Sequence, residues 1–403
     1  MSWEMTTIGK HCTVTSSKRF HLSERSNSGV PFYCAKEIIQ KNRGEEIADC
    51  DYISEEFYLK TAKKFGVPQE NDLLVTTRGT IGVPYLYRRN DRFYFADGNL
   101  TWIKDFKETL LPKFLYYWFL THEGQKKIDA IAKGTAQKAV PIAGIKTLEI
   151  CLPPVDVQRQ IVDILNAYDS LIENNKKQIK LLEEAAQRLY KEWFVDLRFP
   201  GHENVKITDG VPEGWHVVKL SDVADVNKTS ISKQYPYDYV DYVDLGSVSK
   251  GRIETITRFS IQETPGRAKR VASDGDIIWG MVRPNLKSYA LVFHPAATSV
   301  FSTGFAVLSA QKVPFSFLYC YVTQDDFVGY LVNCTNGAAY PAVKPIHFEK
   351  APIMVPTDDL LKQFNLIAKP MYRKIEILEK QIQQAKESRD RLLPKLMSGE
   401  IEV

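Results

Sequence analysis

Apolar positions in this 403-residue chain keep two different spacings. In one stretch Ile161, Leu165, Tyr168, Ile172, Asn175, Ile179, Leu182, Ala186, Leu189 and Trp193 alternate steps of four and three without a break. Far downstream Phe364, Ala368, Met371, Ile375, Leu378, Ile382, Ala385, Arg389 and Leu392 do the same. Sustained 3-4 spacing with charged flanks predicts two long helices with coiled-coil seams. At 1.5 Å per residue, a helix from Asp156 to Trp193 is about 55 Å long. Pro153-Pro154-Val155-Asp156 marks the first start, because Asp can cap free N–H groups, and Pro394 predicts the end, or a bend, of the second. Asn175 is a polar seam position, and such positions can fix register at some cost in stability.

Elsewhere short apolar runs lie between polar turns and read as strands. They are Phe32 to Cys34, Leu73 to Val75, Tyr85 to Tyr87, Phe93 to Phe95 and Leu100 to Ile103. In the second half they are Tyr239 to Leu245, Ile277 to Trp279, Tyr289 to Phe293 and Phe305 to Leu308. Lys113 to Ile131 reads as a helix. The expected fold class is α+β.

The chain is written twice. At an offset of 203 residues Gly134, Ala136, Ala139, Val140, Ile150, Pro153, Asp156 and Gln160 recur as Gly337, Ala339, Ala342, Val343, Ile353, Pro356, Asp359 and Gln363. The identity continues through Ile172/Ile375, Glu173/Glu376, Lys177/Lys380, Ile179/Ile382, Arg188/Arg391 and Leu189/Leu392. Upstream the register drifts: Asn71-Asp72-Leu73-Leu74 resembles Gly275-Asp276-Ile277-Ile278, each soon followed by an arginine, Arg78 or Arg283. The two copies therefore share a scaffold and differ in what they display. The expected order is a globular domain over 1–152, a spacer helix over 153–197, a second globular domain over 198–355 and a second spacer helix over 356–403. The two helices most simply pack on each other.

A duplicated enzyme would carry two reactive constellations, or one and a decayed twin. No phosphate loop, dinucleotide fingerprint, His-Glu-x-x-His or Gly-x-Ser-x-Gly is present. Asp72 and Asp276 recur, but an Asp in a turn before a buried strand is ordinary turn chemistry. Pro356-Thr357-Asp358-Asp359 superficially resembles a nuclease motif, yet acidic residues suit any helix start. The six cysteines have no Cys-x-x-Cys pair, which suits reduced thiols better than a zinc site or disulfides. The opening residues lack a signal-peptide pattern, no apolar run is long enough to span a membrane, and the expected location is cytoplasmic.

The net charge of +4 permits a nucleic-acid partner without establishing one. Basic residues cluster among aromatics and small residues, as in Arg78-Gly79-Thr80, Tyr87-Arg88-Arg89-Asn90, Gly266-Arg267-Ala268-Lys269-Arg270 and Arg283-Pro284-Asn285-Leu286-Lys287. Such loops can neutralise phosphates and read base edges. Gly134 to Lys138 and Gly337 to Pro341 are equivalent loops whose small residues allow close approach. For any single residue, a solvated face or a plain turn is the simpler reading. Two reading heads on a rigid spacer, however, suit a two-part target on DNA.

Leu189-Tyr190-Lys191-Glu192-Trp193-Phe194-Val195-Asp196, followed by Pro200-Gly201, resembles the end of the central helix in specificity subunits of type I restriction-modification enzymes. Arg389 to Ile401 is similar to that family's terminal motif, Val211-Pro212-Glu213-Gly214-Trp215 to the opening of its second recognition domain, and Arg78-Gly79-Thr80-Ile81-Gly82 to part of its first. The resemblance covers essentially the whole chain. It implies two target recognition domains, each reading half of an asymmetric bipartite site in double-stranded DNA, and two antiparallel helices that set the gap. It also implies two methyltransferase subunits docked on the helices, which carry S-adenosylmethionine and the adenine-N6 chemistry, and motor-nuclease restriction subunits beyond them. The chain itself is then not an enzyme, binds no cofactor or metal and touches no membrane. Recognition domains diverge too far for base-contacting residues to be carried over, so the chemistry of the loops selects Arg78, Arg88, Lys138, Arg267, Arg283 and Lys287 as DNA-binding residues. Ile172, Asn175, Ile179, Leu189, Trp193, Ile375, Leu378, Ile382 and Leu392 are the expected helix-pairing and partner-docking positions. The alternative is a coiled-coil scaffold that assembles enzymes without reading DNA; sequence-dependent affinity at stated salt separates the two.

Overall fold

The computed structural model describes residues 3–45, 47, 49–134, 138–232, 234–335 and 341–403. Two compact units emerge: residues 1–173 with 382–403, and residues 174–381. Two long helices, Val155–Tyr190 and Asp358–Ser398, contribute one part to each unit. The remainder is mixed sheet and helix, so the fold is α+β with two globular parts alternating with two long helices.

The first unit contains a four-stranded antiparallel sheet with Leu73–Thr76 in its interior, flanked by Pro84–Leu86 and Leu100–Lys104, and with Thr13–Thr15 at the far edge. All four residues of Leu73–Thr76 are buried, as suits a central strand. A second sheet places Val30–Tyr33 between Asp51–Ile53 (antiparallel) and Tyr94–Phe95 (parallel). The second unit repeats this strand for strand. Ile277–Gly280 lies between Tyr289–Leu291 and Phe305–Ala310, with Ala224–Val226 at the edge, and Tyr239–Val243 lies between Thr257–Ser260 and the parallel Ser299–Ser302. The second of these sheets gains one strand, Ala268–Arg270, beside Ser299–Ser302.

The segment expected as one helix from Lys113 to Ile131 is two, Pro112–Leu120 and His122–Ile131. Thr121 is extended, and its hydroxyl accepts the Gly124 N–H at 3.0 Å, so it caps the second helix and cannot continue the first. Gly124 is required there, since a Cβ would lie 2.3 Å from the Trp118 carbonyl oxygen.

In both units the long helices run antiparallel. In the first, Leu165 shares a core with Leu393, Leu396 and Met397, and Asp169 accepts a 2.8 Å bond from Arg389. In the second, Asn175 donates to Gln381 at 3.1 Å, and Tyr190 packs on Phe364. Ile172, Asn175, Ile179, Ile375, Leu378 and Ile382 are all buried. Leu189, Trp193 and Leu392 are only half-buried, while their neighbours Tyr190, Phe194 and Leu393 take the inward positions. A straight helix at 3.6 residues per turn drifts from a 3.5-residue repeat by about 20° per heptad. A π turn over Lys191–Val195 moves the stripe further. Pro394 does not stop its helix, which continues to Ser398 before Gly399 takes a left-handed φ of 74°.

Candidate nucleic-acid interface

Each repeat builds the same arrangement at the C-terminal end of its central strand. In the first, the Thr77 carbonyl accepts the Val140 N–H at 3.0 Å, and the Thr77 N–H donates to the Asn99 carbonyl at 2.8 Å. In the second, the Met281 carbonyl accepts the Val343 N–H at 2.9 Å, and the Met281 N–H donates to the Gly304 carbonyl at 2.8 Å. The strand end is thus clamped between a sheet-crossing turn and the chain that leaves the small-residue loop. Arg78 and Arg283 come next, one and two residues on.

Arg78 is exposed and bridges Ala139, beside the exposed Lys138, whose ammonium lies 3.6 Å from Asp129. Lys133 and Ala139 exchange two 2.8 Å backbone bonds that close this loop; residues 135–137 within it lie outside the described residues, as do Gly337 to Tyr340 of its twin. Arg283 is exposed, and its N–H donates to Pro341. Arg283 (φ 50°) and Lys287 (φ 55°) are both left-handed, which costs non-glycine residues about 1–2 kcal/mol each. Lys287 reaches Asp325 at 2.6 Å and holds that carboxyl below its usual range. Arg267 joins the same end of the unit, because its carbonyl accepts the Thr303 N–H, one residue before Gly304. The structure thus groups Arg78 with Lys138, and Arg267 with Arg283 and Lys287.

Arg88 does not join them. The strand Pro84–Leu86 runs antiparallel to Leu73–Thr76, so a residue after Leu86 sits at the opposite end of the sheet from Arg78. There Arg88 meets Glu173 of the long helix at 3.3 Å. The second repeat matches this: His294, just after Tyr289–Leu291, lies 2.7 Å from Glu376. The repeated glutamates anchor the edge of each sheet to its helix, and Arg88 is part of that anchor. Conversely, Arg19 is three-quarters exposed and pairs with Asp97 near Asn99, beside the strand end of Arg78. Its sequence context, Lys18-Arg19-Phe20 outside any recurring pattern or glycine loop, carried no signal.

Asp72 and Asp276 behave alike. Each accepts the N–H three residues before it, from Gln69 at 2.9 Å and Ser273 at 2.7 Å, and burial raises both carboxyls. Asp72 also accepts Trp102 Nε1–H at 2.8 Å. These bonds fix the turns that enter the central strands. Among the described residues no group of three or more His, Cys, Asp or Glu could hold a metal, and no helix is long and apolar enough to cross a membrane.

On the long helix of the second unit, burial pushes the Glu379 carboxyl up to about 7, against the pull of Arg252 at 3.9 Å and with Glu183 adding to the rise. A carboxyl raised in the folded state favours folding fully below its unfolded pKa near 4.5, and that advantage is lost as pH climbs through 7. Glu379→Gln should therefore match the parent chain in thermal melts at pH 5 and exceed it at pH 8. The side chain keeps 42% of its surface in solvent, which screens the gain to about 1 kcal/mol or less. Equal melting differences at both pH values would contradict this.

Residues 1–184 match the family of the type I restriction modification DNA specificity domain. The MjaIX specificity subunit of a type I restriction enzyme from Methanocaldococcus jannaschii is 27% identical over 306 residues, spanning 74% of this chain and 71% of that protein. The MjaVIII specificity subunit from the same organism is 23% identical over 359 residues, spanning 86% and 83%. The crystal structure of a type I restriction-modification system S subunit from M. genitalium has the same fold, with a TM-score of 0.62 over 98% of this chain and 96% of that one at 15% identity. A specificity domain matches the first repeat, and specificity subunits align along most of the length, so the chain is similar to the specificity subunits of type I restriction enzymes.

Proposed function

We propose that this chain reads an asymmetric, bipartite site in double-stranded DNA and directs the other subunits of a type I restriction-modification complex to it. The recognition domains comprise residues 1–152 and 198–355, one for each half-site, and the helical stretches 153–197 and 356–403 hold the gap between half-sites. Two methyltransferase subunits dock on the helices and supply S-adenosylmethionine and adenine-N6 chemistry; restriction subunits complete the enzyme. The observation that carries the DNA-reading role is the duplicated strand end, which presents Arg78 with Lys138 in one repeat and Arg283 with Lys287 and Arg267 in the other. Exposed arginines beside glycine-containing loops can approach phosphates closely and bond guanine in the major groove.

Arg283→Ala should weaken binding by about 1–3 kcal/mol and relax selectivity at one half-site only. The measurement is adenine methylation mapping with the neighbouring methyltransferase, backed by binding at fixed salt, since phosphate contacts alone are strongly salt-dependent. An equal loss on every sequence would make Arg283 a phosphate contact. A parent chain that binds all sequences alike would favour the coiled-coil scaffold.

A further inference from the structure

The strands of the two main sheets match between the repeats, and two of the segments that differ are large. The first departure faces the long helices. Ala35–Arg43 is a helix whose Lys41 reaches Asp91 near Arg88, whereas the second unit has the hairpin Val248–Ser249 with Arg252–Ile253, and its Arg252 approaches Glu379. The second departure lies between the outer strand and the central strand. Between Asp51–Ile53 and Leu73–Thr76 the first repeat has the helix Glu55–Phe65; between Thr257–Ser260 and Ile277–Gly280 the second has a single 3-10 turn and the strand Ala268–Arg270. A chain that reads two different half-sites on one scaffold must carry the difference where its copies differ and where DNA can reach. Only the second departure has contacts leading to the arginine end, through Lys18 and Arg19, although the first turn of its helix reaches Arg92 on the other side.

On the DNA-reading function proposed above, we propose that the helix Glu55–Phe65 is the sequence-reading element of the first repeat, with its outer face against double-stranded DNA, and that residues 261–270 take this part in the second. The helix is firmly seated. Ser54 Oγ accepts the Phe57 N–H at 3.2 Å, and Tyr58 and Thr61 are buried against the sheet. Its outer face carries Leu59 and Lys60 and, one helical turn on, Lys63 and Lys64, followed by the exposed Phe65. Among the described residues none of the three lysines has a carboxylate partner. Glu55 and Glu56 lie at the far end of the helix, and Glu55 pairs with Arg92.

Contacts tie this helix to the arginine end through its inner side. Lys18 sits 5.3 Å from the Phe57 ring and 5.6 Å from the Phe65 ring, Arg19 beside it pairs with Asp97, and Asn99 receives the Thr77 N–H just before Arg78. The second unit shows the parallel series: Arg267 to Thr303, Gly304 to Met281, then Arg283. Lysines on such a face neutralise phosphates and bond guanine N7 and O6, while an exposed leucine among them, 57% accessible here, suits the thymine methyl. DNA fits this charge and this apolar contact together.

The test uses the full chain co-expressed with its methyltransferase. The double variant L59A with K63A should lower discrimination at one half-site by about tenfold or more and leave the gap and the other half-site unchanged. Lys269→Ala should relax only the other half-site. All three side chains are exposed, so unchanged thermal melts are expected and serve as the folding control. An unaltered methylation motif, or an equal loss on every sequence, overturns the inference while the DNA-reading function stands. A parent chain with no bipartite motif overturns both.

Discussion

Phe364→Ala is expected to cost about 3–5 kcal/mol of unfolding free energy, the range for truncating a fully buried aromatic. Phe364 has no exposed surface and lies in the first turns of the second long helix. Its ring meets Phe194 at 5.1 Å, Trp193 at 6.1 Å, Tyr190 at 6.2 Å and Phe317 at 6.4 Å, mostly edge to face. These rings come from the end of the first long helix, the start of the second and a helix of the globular part, so one truncation opens a cavity where three elements meet. Denaturant titration followed by tryptophan fluorescence would report it directly, because Trp193 and Trp215 belong to the same cluster. Leu366→Ala is the control. It lies two residues further along the same helix, is 76% exposed, and should change stability by no more than about 0.5 kcal/mol. If both variants cost about the same, the cluster does not hold the helix start.

The long helices were legible in the sequence because a 3-4 spacing kept over about thirty residues has no other structural solution. The duplication was legible because the last part of each repeat kept its register. The exchange of Leu189 and Trp193 for Tyr190 and Phe194 was not, since heptad spacing extrapolates a stripe that a straight helix and a π turn carry away. The helices Ala35–Arg43 and Glu55–Phe65 escaped because they are short and rich in Lys and Glu, so an apolar stripe such as Tyr58, Ala62 and Phe65 repeats too few times to stand out. Arg78 and Arg88 looked equivalent as arginines in loops after strands. Their separation follows only from pairing Leu73 with Leu86, which sends the two loops to opposite ends of the sheet. Two consecutive strands a short turn apart already imply an antiparallel pair, so this much of the site was within reach of the sequence.

Lengthening both long helices by a matched heptad should move the gap between half-sites without altering either half-site. Both helices cross from one compact unit to the other, between Glu173 and Asn174 and between Gln381 and Ile382. Within each unit they pair antiparallel in fixed register, through Asp169 with Arg389 and through Asn175 with Gln381. An insertion in one helix alone leaves seven residues without seam partners and should abolish binding. Matched insertions at the two crossings keep every existing pair and add about 10 Å, which corresponds to up to about 3 bp of B-DNA. The same heptad turns the helix stripe by only about 20°, whereas 3 bp turn the duplex by about 100°. The longer gap should therefore be bound more weakly than the parent gap, by bending or twisting the DNA. Methylation mapping of the matched variant would show the parent half-sites at a wider spacing and lower occupancy. The parent spacing at parent occupancy would mean that the helices do not set the distance.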